Sequence, residues 1–424
     1  MGLFLGYLCS VCGEEYSPEE VLYTCPADGG NLDVVLDYAS IMSATTPAEL
    51  VRHPDRSIWR YLPLLPVDDP GHNGTPLRSV GWTPLYRSNR LARNLGIKNL
   101  WIKDDGRNPT ASFKDRASAI VVARAQEIGA EVVITASTGN AGAAQAGMSA
   151  AAQARAVILA PKNAPPAKVA QLLIFGAEVL LVDGSYDDAF DLTIEAAQDF
   201  GWYCRNTGYN PFTAEGKKTA AFESCEQLTL LRKGSDNLPQ RWEVPDTVFT
   251  SVGDGNIISG LHKGFKDLYA LEWIDKVPRI FGVQATGSAA IYNAFQAQTE
   301  KIIAVEAKTF ADSISVDLPR DGLRALRAAT QTGGAYLAVS DEAILGAIRT
   351  LAKTEGIFAE PAGATSYAGF VKALEMGLVR GDEHHLVLIT GSGLKDVSAA
   401  IEAVGEPKVI VPELDALKVA LGRG

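Results

Sequence analysis

Two stretches of this chain read as copies of one unit: Ile128-Gly-Ala-Glu-Val-Val-Ile-Thr135 and Phe175-Gly-Ala-Glu-Val-Leu-Leu-Val182. In each, a glycine sits where a helical pattern would end in a left-handed cap, and a continuous apolar run follows. Such a run, without polar alternation, is a strand buried on both faces, which belongs to a parallel sheet covered by helices. Further strands are expected at Leu100–Lys103, Ala156–Leu159, Trp202–Arg205, Thr247–Val252, Arg279–Gln284 and His385–Thr390. Helical patterns at Asp187–Phe200, Glu215–Leu228, Asp341–Glu355 and Pro361–Met376 fill the gaps. The alternation predicts an α/β chain of βαβ units, and 424 residues suffice for two such domains.

Composition narrows the function. Apolar residues make up 47% and charged residues 21%, which is ordinary for a globular protein. A net charge of −11 argues against a nucleic-acid or anionic-membrane surface. No apolar run reaches membrane-spanning length. The segment Met1–Leu8 lacks a cationic leader, and the five cysteines fit a reducing compartment. The expectation is a cytoplasmic enzyme acting on a small molecule, with neither nucleic acid nor membrane as partner.

The run Asn108-Pro-Thr-Ala-Ser-Phe-Lys-Asp-Arg116 places Lys114 where the first strand gives way to a helix of about four turns. A helix start favours anions over cations, so a structural role for this lysine is a poor explanation. A lysine presented by a rigid loop can instead form a Schiff base. Two small-residue turns open later helices, Ser137-Thr-Gly-Asn-Ala-Gly142 and Val252-Gly-Asp-Gly-Asn-Ile-Ile-Ser-Gly260. Backbone N–H groups at such turns bind phosphate. Taken singly, the second turn is equally a plain tight turn, and Asn140 equally a helix cap.

Near the N-terminus, Cys9-Ser-Val-Cys12 and Cys25-Pro-Ala-Asp28 give the spacing C-x2-C-x12-C-x2-D. One reading is a zinc site of Cys9, Cys12, Cys25 and Asp28. The other is an eroded ribbon that keeps its turns without metal. Trp59-Arg-Tyr-Leu-Pro-Leu-Leu-Pro66 reads as a packing arm near the site, a dimer interface or a plain linker, and Asp115 and Arg116 as a local pair. His72, His262, His384 and His385 show no metal spacing and are expected at the surface.

Together the Lys114 segment, Ser137-Thr-Gly-Asn140 and Thr390-Gly-Ser-Gly-Leu-Lys-Asp396 resemble the fold-type-II, tryptophan-synthase-β-like enzymes that use pyridoxal phosphate. Within them the chain looks most like the threonine synthase family, from about Gly81 to Asp396. The resemblance implies two three-layer parallel-sheet α/β domains with the cofactor in the cleft between them, plus a zinc-ribbon-like knuckle. It implies a knuckle over 1–37, an arm and first part of the large domain over 38–130, a small domain over 131–219, and the rest of the large domain over 220–424. Relatives are usually homodimers.

It also implies roles. Lys114 carries the cofactor and moves protons, which needs an amine partly neutral near pH 7. Gly253, Asp254, Gly255, Asn256 and Ile257 cradle the cofactor phosphate, with the Asp254 side chain turned outward. Asn140 bonds the ring oxygen, and Thr390 faces the pyridine nitrogen. Ser137 and Thr138 take the substrate α-carboxylate. Asn206 and Thr207 bind a second phosphate, that of O-phosphohomoserine. Glu360 packs at a helix start.

The resemblance frays at one point. Thr213 stands where relatives carry an arginine for that second phosphate, and a guanidinium is not readily replaced there. Arg107 and Lys217 are the nearby cations, although Lys217 also reads as a solvent-facing helix lysine. Two other reactions therefore accompany threonine synthesis: ammonia loss from serine, threonine or diaminopropionate, and β-replacement on O-phosphoserine as in cysteate synthase. A cofactor-binding protein without catalysis is the non-enzymatic alternative.

Overall fold

Thirteen strands form three sheets in the computed structural model, which describes residues 3–234 and 240–422. β1 (Phe4–Cys9), β2 (Glu15–Tyr16) and β3 (Leu32–Leu36) make a small antiparallel sheet carrying the cysteine turns. β4 (Leu85–Arg87) and β5 (Asn99–Asp104) begin the large sheet. The chain then crosses to a four-stranded parallel sheet of β6 (Val132–Ala136), β7 (Arg155–Pro161), β8 (Glu178–Val182) and β9 (Tyr203–Cys204), ordered β8-β7-β6-β9. It returns through β10 (Thr247–Ser251), β11 (Arg279–Ala285), β12 (Tyr336–Val339) and β13 (His384–Ile389). The large sheet is ordered β12-β11-β10-β13-β5-β4.

The strand alternation of two explains the layers. In the large sheet Leu100, Ile102, Phe249, Val283 and Val387 share a core with helices Asp341–Glu355 and Pro361–Glu375. Their neighbours Trp101, Val248, Leu386 and Leu388 join the core formed with helices Lys114–Glu127, Phe212–Lys233 and Asn256–Ala270. In the smaller sheet Ile134 and Leu159 meet Phe190 of helix Tyr186–Phe200, whereas Ile158 meets Ala143 and Leu172 on the opposite face. Gly129 and Gly176 take left-handed φ of +68° and +81°, as helix ends before buried strands require.

The large sheet is not wholly parallel. β4 runs antiparallel to β5 at its edge, because the short stretch between them holds only the helix Asn89–Asn94, too little for a parallel crossover. The helix expected at Glu215–Leu228 spans Phe212–Lys233, and the Asn210 Oδ1 just before it accepts from the Phe212 N–H at 2.9 Å. The segment Trp59–Pro66 is a packing arm, with Tyr61 Oη donating to the Glu226 carboxylate at 2.5 Å.

Asp115 and Arg116 do not pair with each other. Asp115 accepts from the Thr110 N–H at 2.6 Å, fixing the turn before Lys114. Arg116 reaches inward, Nε to Asp105 at 2.6 Å and Nη1 to Glu223 at 2.6 Å, where Lys103 Nζ also donates to Glu223 at 2.8 Å. All four side chains are fully buried. Nor are all the histidines at the surface: His262 and His385 are buried, the latter bonded to Thr247 at 2.8 Å. His385 is drawn inward with its strand β13, and His262 with the buried face of the helix Asn256–Ala270.

Removing one member of a buried ion cluster leaves the others uncompensated, at roughly 3–5 kcal/mol. Arg116→Met should therefore lower the urea unfolding midpoint sharply; an unchanged midpoint refutes a structural role for the cluster.

Candidate active site

Lys114 is the first residue of its helix, at the wall of a small cavity. The Ser112–Gly391 bridge and the Phe113 N–H to Thr390 O bond at 2.8 Å hold this helix start against the end of β13. Burial, and then the Arg205 guanidinium, lower the Lys114 amine to about 8, against the opposing fields of Asp254 and Glu360. Such an amine is substantially closer to neutral than an ordinary lysine.

Across the cavity lies the turn Gly253–Ile257. Gly255 has φ +93°, and a Cβ there would lie 2.6 Å from Ala325 Cβ, so only glycine fits. The turn opens the fifteen-residue helix Asn256–Ala270, whose first turn has no side-chain cap. Its N–H groups and the positive end of the helix dipole suit an anion. Asn256 is committed to structure: its Oδ1 accepts from Thr213 Oγ1 at 3.0 Å and from Lys217 Nζ, and its Nδ2 donates to Asp321 at 2.7 Å. The Asp254 carboxylate accepts from the Arg320 N–H at 3.4 Å, while the residue still lines the cavity.

Asn140 is the first residue of its helix rather than the cap, which is Gly139. Its Nδ2 donates to both Glu360 oxygens, at 3.0 and 2.9 Å. Glu360 is no mere packing residue: it lines the same cavity and is buried. A Cβ at Gly391 would lie 2.2 Å from its Oε1, so the glycine clears space for the carboxylate. Burial raises the Glu360 pKa, and Asn140 is the largest opposing influence. Its sequence context, an acidic residue before a proline-opened helix, carried no sign of this contact. Thr390 is buried and lines the cavity from the end of β13.

The cavity thus gathers Lys114, Asn140, Gly253, Asp254, Gly255, Asn256, Ile257, Thr207 and Thr390. Thr138 lines an adjoining cavity that shares Asn140 and Glu360. Two expected residues lie off both walls. The Ser137 Oγ accepts from the Gly139 N–H at 3.2 Å, and the Asn206 Oδ1 accepts from the Ala136 N–H at 2.8 Å. Of the two spare cations, Arg107 is exposed and Lys217 is fully buried, contrary to the solvent-facing reading. The glycines Gly260 and Gly264 let the Asn256 helix close on the Phe212 helix and cover that lysine.

At the knuckle, Cys9, Cys12, Cys25 and Asp28 bring one ligand atom each within 4.8 Å of one another. Cys12 Sγ and Cys25 Sγ are 3.7 Å apart, and Cys9 Sγ is 3.4 Å from an Asp28 oxygen. Tetrahedral zinc with bonds near 2.3 Å separates its sulfurs by about 3.8 Å.

Residues 77–391 match the family model described as pyridoxal-phosphate dependent enzyme. The chain is 41% identical over 412 residues to the threonine synthase of Methanocaldococcus jannaschii, covering 97% of this chain and 98% of that protein. It is 38% identical to the threonine synthase of Methanosarcina acetivorans, at the same coverage. Among solved structures it superposes on threonine deaminase isoform 2 of Solanum lycopersicum with TM-score 0.65 and 22% identity, covering 82% of this chain and 92% of that one. Diaminopropionate ammonia lyase of Escherichia coli gives TM-score 0.65 and 21% identity, covering 85% and 91%. At these identities the two structures establish the shared fold alone.

The lowered Lys114 pKa has a consequence for stability. Between about 8 and the ordinary 10.5 the unfolded chain holds a proton that the folded amine has released. Stability of the cofactor-free protein therefore rises with pH across that window, and below it the buried charge is a cost. Lys114→Met should raise the melting temperature at pH 7, and the gap should close as pH approaches 10.5. A gap independent of pH contradicts this.

Proposed function

The chain belongs to the threonine synthase family of pyridoxal-phosphate-dependent enzymes, and we propose that its substrate is O-phospho-L-homoserine, converted with water to L-threonine and phosphate. One observation carries the proposed site: a lysine amine lowered to about 8 shares a cavity with the uncapped N-terminus of a fifteen-residue helix. An imine-forming amine and a phosphate cradle are the two fixtures that this cofactor needs, so the residues present fit it.

Bound here, pyridoxal phosphate supplies an electron sink that makes protons on the substrate carbons next to the amine removable. The Gly253–Ile257 N–H groups would hold its phosphate, Asn140 its ring oxygen, and Thr390 its ring nitrogen. Glu360 positions Asn140 through the paired bonds to its amide. The Thr390 hydroxyl is neutral, and it suits elimination and replacement at Cβ or Cγ better than transamination, which favours a carboxylate partner. Thr138, with N–H groups of the Ser137–Asn140 turn, would receive the substrate α-carboxylate. The Lys114 amine would take the substrate Cα proton and later move protons at Cβ, acting as base more than once.

For the knuckle we propose a structural zinc held by Cys9, Cys12, Cys25 and Asp28. The sulfur spacing and the convergence of four donors support it. Protein purified without chelators should contain about one zinc per chain by elemental analysis, a stoichiometry set by one tetrahedral site; zinc-free protein sinks the assignment.

The cofactor-loaded protein mixed with O-phosphohomoserine should release phosphate and threonine in equal amounts and no ammonia. Ammonia with a 2-oxo acid would instead establish the deaminating chemistry. Lys114→Ala should abolish turnover, and retained activity would overturn the assignment of the base.

A further inference from the structure

Arg205 follows β9 directly, and its N–H donates to Ile134 O at 2.8 Å, which carries the strand path one residue further. The side chain is 1% exposed. Its Nε donates to Ser118 Oγ at 3.3 Å and its Nη1 to Thr207 Oγ1 at 2.6 Å, while its Nη2 has no partner. Among the described residues no carboxylate lies within 4 Å of it, unlike the buried Arg60, Arg116 and Arg324, each of which has one. A guanidinium offers five donors, and here one whole nitrogen is buried and idle. Burying such a charge without a counter-ion is unfavourable unless an anion completes it.

Its surroundings point toward the cavity. Thr207, which its Nη1 holds, lines the wall. Arg205 is the largest charge acting to lower Lys114, and with Lys114 it also lowers Lys217, a second buried cation with no carboxylate within 4 Å among the described residues. Three cations thus share one region of a chain whose net charge is −11. Next to Arg205, the Asn206 Nδ2 is also buried and unpartnered.

We propose that Arg205, with Thr207, binds the phosphate of the amino-acid substrate. This assignment rests on the proposed substrate and deepens it. With the Gly253–Ile257 turn proposed for the cofactor phosphate and Thr138 for the α-carboxylate, Arg205 addresses a third anionic group. It does so from the end of a strand, whereas Thr213 on the following helix is occupied with Asn210 O and Asn256.

The test compares wild type, Arg205→Gln and Arg205→Lys, all loaded with pyridoxal phosphate. Loss of a charge-assisted pair should raise the KM for O-phosphohomoserine roughly 10–100-fold in Arg205→Gln. Binding of inorganic phosphate, by calorimetry, should weaken similarly, and Arg205→Lys should restore part of both. Cofactor affinity and the spectral response to L-homoserine, which lacks the phosphate, should not move. Removal of an uncompensated buried cation should also leave the melting temperature equal or higher. A fall in cofactor affinity would assign Arg205 to the cofactor phosphate instead. Parallel weakening of homoserine and O-phosphohomoserine, or no change at all, would also overturn the proposal. If wild type does not turn over O-phosphohomoserine, the substrate reading fails, and the calorimetric comparison still decides whether Arg205 binds phosphate.

Discussion

Arg116 holds the site together without touching it. Its guanidinium bridges Asp105, just after β5, and Glu223, in the middle of the helix Phe212–Lys233. Because Arg116 lies two residues beyond Lys114, that bridge fixes the depth and rotation of the helix start that presents the lysine. The crossing is close: a Cβ at Gly216 would lie 2.1 Å from Arg116 O. Lys103 and the buried Gln227 close the cluster, so each charge has a partner of opposite sign or a hydrogen bond. Buried ion clusters contribute little net stability compared with apolar packing, but they tolerate only one geometry. Here that geometry is what the lysine needs.

A second chain of bonds ties the knuckle to the Gly253–Ile257 turn. Arg324 donates to Asp33 in β3 at 2.7 Å and to Asp321 at 2.7 and 2.8 Å. Asp321 in turn accepts from Asn256 and, through its N–H, donates to Asp254 O at 2.8 Å. The turn therefore has its shape set from outside the cavity, which leaves its own N–H groups free for an anion. Preorganised donors of this kind need no rearrangement when negative charge arrives.

The contrast between these clusters and the cavity defines the electrostatics. Arg116 and Arg324 are neutralised by carboxylates, whereas Arg205 and Lys217 are buried with none within 4 Å among the described residues. The fold accepts an unfavourable desolvation at the site and compensates it elsewhere through packed helices and sheets, an arrangement common where binding depends on charge. The sign of the whole surface therefore says little about the cavity, whose wall holds Lys114 beside Asp254 and Glu360, with Arg205 and Lys217 buried behind it.

The sequence by itself determined the layered α/β architecture and the place of Lys114 at a helix start. Both rest on local rules: the two-residue period of buried strands, the left-handed glycines Gly129 and Gly176, and the polar turn before Lys114. Local rules also located the glycine turn at Gly253–Ile257. Tertiary structure alone decided which charges are compensated. Glu360 meets Asn140 across 220 residues, and Lys217 is sealed by a helix that the sequence places 39 residues away. Arg205 looked like any residue at a strand end until its missing partners could be counted. Propensity and periodicity are set by neighbours along the chain, but the presence or absence of a counter-ion is set by what the fold brings near.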